Sequence, residues 1–247
     1  MNGVLLDLVA ASRARPVVDG DAPPGPRPSL VAALRGRERI SLLAEFKRRS
    51  PSDRVFAPQV DLLSQLHGYQ QAGAAAVSVL TEPTRFCGSM RDLRAAVAAS
   101  PLPILRKDFL VRPEQVRESA ANGASAVLLI VRCLPGAQLG EMVDACRAAG
   151  VEMLIECHDE ADLDRALPFD DAVLGVNNRD LDTLRVDRAV VTRLAPRVPT
   201  DRVLVAESGY TDAAQLQPLH GVVDAVLIGS ALMRGAAAGA FVAGGRS

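Results

Sequence analysis

From residue 41 onward the chain repeats one unit eight times: a short apolar run, a break, and an amphipathic stretch. The apolar runs fall at 42–47, 75–80, 104–107, 126–130, 152–156, 172–177, 203–207 and 225–228. Helical periodicity follows at about 60–72, 89–99, 113–122, 137–149, 160–167, 187–195 and 211–219, with a last helix near Ser230. Punctuation agrees with that division, since Pro113 sits at an early helical position and Gly73, Gly123 and Gly150 follow helix ends. Only 3% of the residues are aromatic and Trp is absent, so a 49% hydrophobic chain must build its core from Ala, Val, Leu and Ile. That composition suits parallel strands covered by helices. Eight strand–helix units in about 200 residues predict an α/β fold, a (β/α)8 TIM barrel. The alternative is a doubly wound sheet, which carries a G-x-G-x-x-G turn after its first strand when it binds a dinucleotide, and no such turn occurs in the chain.

The first 40 residues differ in character. Residues 1–14 predict a short amphipathic helix through Val4, Leu5, Leu8 and Val9, and a second short helix covers 30–34. Between them, PVVDGDAPPGPRP reads as a connector. The expected organisation is therefore an N-terminal extension, 1–40, on a catalytic barrel, 41–247, forming a single domain overall. Net charge is −1 with no basic tail, which argues against nucleic-acid binding. No apolar run reaches transmembrane length and no signal-like segment opens the chain, so a cytoplasmic protein with no membrane partner is expected. The four cysteines, Cys87, Cys133, Cys146 and Cys157, match no zinc spacing and read as reduced thiols. The run Glu156-Cys157-His158-Asp159 looks metal-like by composition, but consecutive strand residues face opposite ways, so no metal site is expected there.

Chemistry collects at the predicted strand ends. Of 28 Lys+Arg residues only Lys47 and Lys107 are lysine, and each ends an apolar run. Arginine serves wherever charge suffices; lysine is the cation that can also give up a proton. In a (β/α)8 barrel the active site lies at the C-terminal ends of the strands. Glu45 and Lys47 end the first strand, Lys107 the third, Glu156 the fifth, Asn177 the sixth and Glu207 the seventh. Their spacing is in phase with inward apolar residues two positions earlier. Six polar groups at one mouth predict a site for acid–base chemistry, weighed against a structural ion-pair plug. The loops after strands seven and eight, ESGYTD and IGSALM, occupy the usual phosphate position of this fold, with Ser208, Gly209, Gly229 and Ser230 as candidate contacts. Ser50 and Arg179 are further candidate donors.

The segments AEFKRRSPS, AVSVLTEPTRFCGS, PILRKDFLV, GASAVLLIV, LIECHDE, GVNNRDLDTLRVD, VAESGY and AVLIGSALMR, in that order, resemble the signatures of indole-3-glycerol phosphate synthase from about residue 41 to 234. The resemblance implies a barrel lyase of tryptophan biosynthesis whose N-terminal extension packs near the active-site mouth. It implies decarboxylating and dehydrating ring closure of 1-(2-carboxyphenylamino)-1-deoxyribulose 5-phosphate, a phosphorylated small molecule, with no cofactor and no metal. Lys107 matches the general acid, Lys47 the lysine on the departing carboxylate, and Glu156 and Glu45 the proton-handling carboxylates. Asn177 and Glu207 match orienting residues. Ser50, Ser208, Gly209, Gly229 and Ser230 match the phosphate side, and Phe86 and Phe109 match apolar residues flanking the substrate ring as a sandwich. The chain departs from the pattern where SPSKG reads SPSDR, with Asp53 and Arg54, and its last helix looks to dissolve early into GAAAGAFVAGGRS. A stand-alone enzyme is expected, monomeric with a dimer as the alternative. Phosphoribosylanthranilate isomerase, the rival enzyme, needs a Cys on the first strand that is absent here, and a silent binding barrel would have lost one of the lysines or glutamates.

Overall fold

The computed structural model describes residues 3–18, 20, 26–36, 39–50 and 60–245. Eight parallel strands close on themselves in chain order. They are β1 (Ser41–Phe46), β2 (Ala76–Leu80), β3 (Ile104–Lys107), β4 (Ala126–Ile130), β5 (Glu152–Cys157), β6 (Val173–Asn177), β7 (Leu204–Glu207) and β8 (Ala225–Ile228). Two helices precede them, α1 (Gly3–Ala14) and α2 (Leu30–Leu34). The outer layer holds α3 (Leu62–Gln71), α4 (Met90–Ala99), α5 (Pro113–Ala121), α6 (Gln138–Ala149), α7 (Glu160–Ala166), α8 (Ala189–Leu194), α9 (Ser230–Met233) and α10 (Ala238–Gly244). Predicted strand bounds hold to within one residue, and Lys47 lies just beyond β1.

Three expectations change. The segment Ala213–Leu219 is a 3₁₀ helix rather than an α-helix, with Pro218 inside it removing a backbone donor. The C-terminal tail does not dissolve: α10 packs on that 3₁₀ helix and beside β1, burying Phe241. The connector is no free link in its described part. The Val18 N–H donates to Glu118 at 2.6 Å, and Arg27 donates to the carbonyls of Gly150 and Ala120 at 2.9 Å each. The altered loop with Asp53 and Arg54 lies outside the described residues.

The extension works at both ends of the barrel. Helix α2 meets the N-terminal end, where Glu152, the first residue of β5, accepts from the Leu30 and Val31 N–H groups at 2.6 and 3.0 Å and from the Ser29 hydroxyl at 2.6 Å. A carboxylate at a helix N-terminus satisfies donors the helix cannot. Helix α1 sits at the opposite end, where Val4, Leu5 and Leu8 line the cavity described below.

Arginine 106 ties this layer together. Its neighbours Leu105 and Lys107 face the barrel interior, so Arg106 must point outward, into the layer between strands and helices. There it is fully buried. It donates to Thr81 Oγ1 (3.1 Å), the Gln115 carbonyl (3.2 Å), Glu118 (2.6 Å), Ser119 Oγ (2.9 Å) and Asp108 (3.3 Å). Only a guanidinium offers so many fixed donors, which explains arginine at this position better than composition does. Asp108 also accepts from Arg15 at 2.7 Å, which clamps the end of α1 to β3. The Arg15, Arg106 and Thr81 contacts hold the Asp108 carboxyl below its usual range against the opposing effect of burial.

Removing the cation leaves buried Glu118 without its ion partner and Asp108 with Arg15 alone, so Arg106→Met should destabilise the fold by about 3–5 kcal/mol. Urea unfolding measures it, and a loss below about 1 kcal/mol, the scale of an exposed pair, would show that the network carries little.

Candidate active site

A cavity of about 440 Å³ opens at the C-terminal ends of the strands. Its floor is apolar, from Leu80, Leu128, Ile130 and Leu227. Above the floor stand Glu45, Lys47, Lys107, Glu156, Asn177 and Glu207, the six polar strand-end residues expected from sequence. The other expected residues, Ser50, Phe86, Phe109, Arg179, Ser208, Gly209, Gly229 and Ser230, line the same cavity. The two-residue period of a strand makes this convergence possible, since every inward position near a strand end meets the others across the barrel.

The charges are arranged in two groups. Lys47 Nζ donates to Glu45 Oε1 at 2.7 Å. Lys107 Nζ donates to Glu156 Oε2 at 3.1 Å and to Glu207 Oε2 at 2.9 Å. Both glutamates are 1% exposed, which makes the lysine their chief compensation. Burial favours neutral Lys107, but Glu156, Glu207 and Glu45 together outweigh it and push its pKa up, so the ammonium is retained. The two carboxylates divide. Burial raises both; for Glu156 the Lys107 charge, aided by His158, wins and holds it ionised. Glu207 is raised to about 7, by burial first and by the charge of Glu156, with Lys107 opposing. Among the described residues, one oxygen of each, Oε1, lacks a well-aligned hydrogen bond.

Room for buried carboxylates comes from glycine. A Cβ on Gly175 would stand 2.3 Å from Glu207 Oε1, and one on Gly229 would stand 2.1 Å from Glu45 Oε1. Gly229, singled out as a phosphate contact, thus has a steric reason of its own. Gly209 has two reasons, a φ of +90° and a Cβ position only 2.5 Å from Val186. Ser208 before it is also left-handed, at φ 65°.

Phe86 and Phe109 come from the adjacent loops after β2 and β3 and both line the cavity, with ring centroids 6.2 Å apart and planes tilted by 34°. Glu82 builds the first loop, accepting from the N–H groups of Thr84, Arg85 and Phe86 at 2.8, 2.6 and 3.0 Å.

Sequence reading missed several residues here. Asp108 lines the cavity, and so do Leu181, Leu184 and Val186 from the loop after β6, which is closed by an antiparallel bridge between Arg179 and Val186. His158, in a run expected not to converge, has its Nε2 3.2 Å from Glu156 Oε1. The two residues are two positions apart, a spacing that keeps side chains on one face, and that was the available signal. Among the described residues no group of three His, Cys, Asp or Glu side chains is placed to hold a metal ion.

The fold alone is shared with distant barrels. Tryptophan synthase subunit alpha from Legionella pneumophila superposes with TM-score 0.60 at 13% identity, covering 84% of this chain and 91% of its own. Phosphoribosylanthranilate isomerase from Thermotoga maritima gives 0.58 at 17% identity, covering 84% and 98%. Sequence similarity is more specific. The indole-3-glycerol phosphate synthase of Parafrankia sp. (strain EAN1pec) is 46% identical over 221 residues, 89% of this chain and 82% of that protein. The enzyme of the same name from Deinococcus radiodurans is also 46% identical, over 78% of this chain and 73% of its own. The family model described as indole-3-glycerol phosphate synthase matches residues 8–243. With that match spanning most of the extension, the barrel and nearly all of the cavity, the chain belongs to the indole-3-glycerol phosphate synthase family.

Proposed function

We propose that this barrel closes the indole ring: it converts 1-(2-carboxyphenylamino)-1-deoxyribulose 5-phosphate to indole-3-glycerol phosphate, carbon dioxide and water, a carboxy-lyase reaction of tryptophan biosynthesis. The observation that carries this reading is Lys107, a buried ammonium held by two carboxylates over an apolar floor. Ring closure needs a proton delivered to the ribulose carbonyl oxygen as the aryl carbon attacks it. Lys107 reaches that point still protonated, because its partners hold the proton until an alkoxide develops nearby. Lys47, two strands away and paired with Glu45, is the cation for the departing carboxylate. Glu156, ionised, is the base that takes up the proton lost from the methylene carbon beside nitrogen as water departs, and Glu45 stands within relay distance of Lys47 for the same step. Asn177 and Glu207 orient the sugar chain. The aryl ring lies against the tilted Phe86–Phe109 wall. The phosphate end belongs at the Ser208–Gly209 and Gly229–Ser230 loops, with Ser50 and Arg179 on the same side.

A single chain supplies every residue in this reading, so we take the monomer as the catalytic unit. The four cysteines form no disulfide. No described helix is long and apolar enough to cross a membrane. We place the enzyme in the cytoplasm, where thiols stay reduced.

Adding the anilino substrate to purified protein should generate indole absorbance; its absence would defeat the assignment. Inorganic phosphate should compete with substrate at the two Gly/Ser loops, and failure to inhibit even at high concentration would move the phosphate elsewhere. Lys107→Arg should be nearly as damaging as Lys107→Ala, because a guanidinium keeps its proton and needs more room. A kcat loss of about 10²–10⁴-fold is expected for both, and an arginine variant retaining more than about a tenth of wild-type kcat would reduce Lys107 to an electrostatic role.

Glu207 gives a pH signature. Its folded pKa of about 7 exceeds the ordinary 4.5, so its contribution to stability is full below pH 4.5 and lost as pH rises through 7. Wild-type melting temperature should therefore fall relative to Glu207→Gln between pH 5 and 8 (about the span of that titration), and parallel curves would show that Glu207 ionises normally.

A further inference from the structure

His158 is a buried titratable side chain that touches this machinery from outside the cavity lining. It directly follows β5, its side chain is 2% exposed, and its Nε2 lies 3.2 Å from Glu156 Oε1. On the other side, Nδ1 lies 3.5 Å from Asp162 Oδ2. The same Asp162 oxygen accepts the His158 backbone N–H at 3.0 Å, so both the backbone and the ring of His158 face one carboxylate. Asp162 is itself held by Arg132 Nε at 3.1 Å, and the rest of that guanidinium reaches Asp159 at 2.8 Å and Asp180 at 3.1 Å. A chain of alternating charge thus runs from the rim of the barrel to Oε1 of Glu156.

We propose that His158 is a positioning residue whose protonated ring holds Glu156 ionised and turned, with one carboxylate oxygen on Lys107 and the other ready to take up the proton lost as water departs. This rests on the reading of the site given above. A neutral imidazole carries one N–H and one lone pair. Between two carboxylates it would aim that lone pair at one of them across 3.2 or 3.5 Å. The imidazolium presents positive charge to both, and the contacts are those of charge, since neither ring nitrogen is aligned for a hydrogen bond. Burial disfavours the charged ring, but Asp162 and Glu156 outweigh it, with Arg132 opposing, and bring the imidazole to about 9. The thiols of Cys133 and Cys157 meet the same two carboxylates; burial and those charges push both up, Cys133 to about 12, so both stay neutral. Glu156 therefore lies between two cations across the neutral pH range. That explains how one buried carboxylate stays ionised while Glu207, which shares Lys107 but lacks a second cation, rises to about 7. A base must be ionised before substrate arrives, and its proton affinity is set by such neighbours.

The test combines kinetics with direct titration. In His158→Asn and His158→Gln, Glu156 loses a cation, so the acid limb of the kcat profile should move up by about one pH unit. KM should change less than kcat. The ratio of wild-type to variant kcat should be greatest below pH 8 and narrow above about pH 9, where the wild-type ring gives up its proton. A loss that is equal at every pH, or no loss, would overturn the proposal. NMR of the labelled imidazole in wild-type protein should show His158 titrating well above the ordinary value of about 6.5, and Asp162→Asn should lower that titration. A ring that titrates at or below 6.5 overturns the proposal whatever the activity, and this arm holds if the His158 variants fail to fold. Absence of any indole product from wild-type protein would overturn the reading of the site, and the catalytic half of this proposal with it, even if the ring titrates near 9.

Discussion

The ammonium of Lys107, buried at the end of β3, sets terms that the surrounding structure has to meet. An unpaired charge in that position would be lost to neutralisation, so two carboxylates stand at 3.1 and 2.9 Å from it, each brought from a strand on the far side of the sequence. Those carboxylates in turn need space and partners. Glycine at 175 leaves room for Glu207, and glycine at 229 leaves room for Glu45. Apolar neighbours and burial keep Glu156 and Glu207 almost wholly from solvent, which strengthens their contacts with Lys107. Three glutamates against two lysines leave one carboxylate in excess, and the excess falls on Glu207, the member held near neutrality.

Stability and chemistry meet on one strand. Alternate residues of β3 face opposite ways, so Lys107 serves the cavity while Arg106, its neighbour, binds the strand to α5 from behind. Asp108, next along, joins Arg106 to Arg15 at the end of α1. The helix so anchored supplies Val4, Leu5 and Leu8 to the cavity wall. The extension is therefore part of the site by virtue of a buried ion network, and a change in that network reaches the cavity through the backbone of three consecutive residues. Such coupling is the usual consequence of close packing, where a shift in one element has no slack to absorb it.

The arrangement also separates roles among identical side chains. Glu45, Glu156 and Glu207 all end strands and all point inward. What distinguishes them is the number of cations each meets: one lysine for Glu45, a lysine and an imidazole for Glu156, and a shared lysine for Glu207. Environment rather than residue type sets proton affinity.

The sequence by itself determined the barrel and the set of residues at its mouth. Strand period, apolar runs and helix punctuation are local, and eight repeats of one local pattern have few ways to close. Lysine kept twice among so many arginines marked two positions where the cation itself mattered, and both line the cavity. Tertiary structure alone decided the pairing. Lys107 and Glu207 are 100 residues apart, and only closure of the barrel, which sets β7 across from β3, brings them to 2.9 Å. The same closure turned Phe86 against Phe109, set glycines beside carboxylates, and placed His158 on Glu156. It also made Arg106 a buried strut where its sequence neighbourhood read as one more cation. Distances between strands remote in the chain fix charge, tilt and free volume, and no local pattern encodes them.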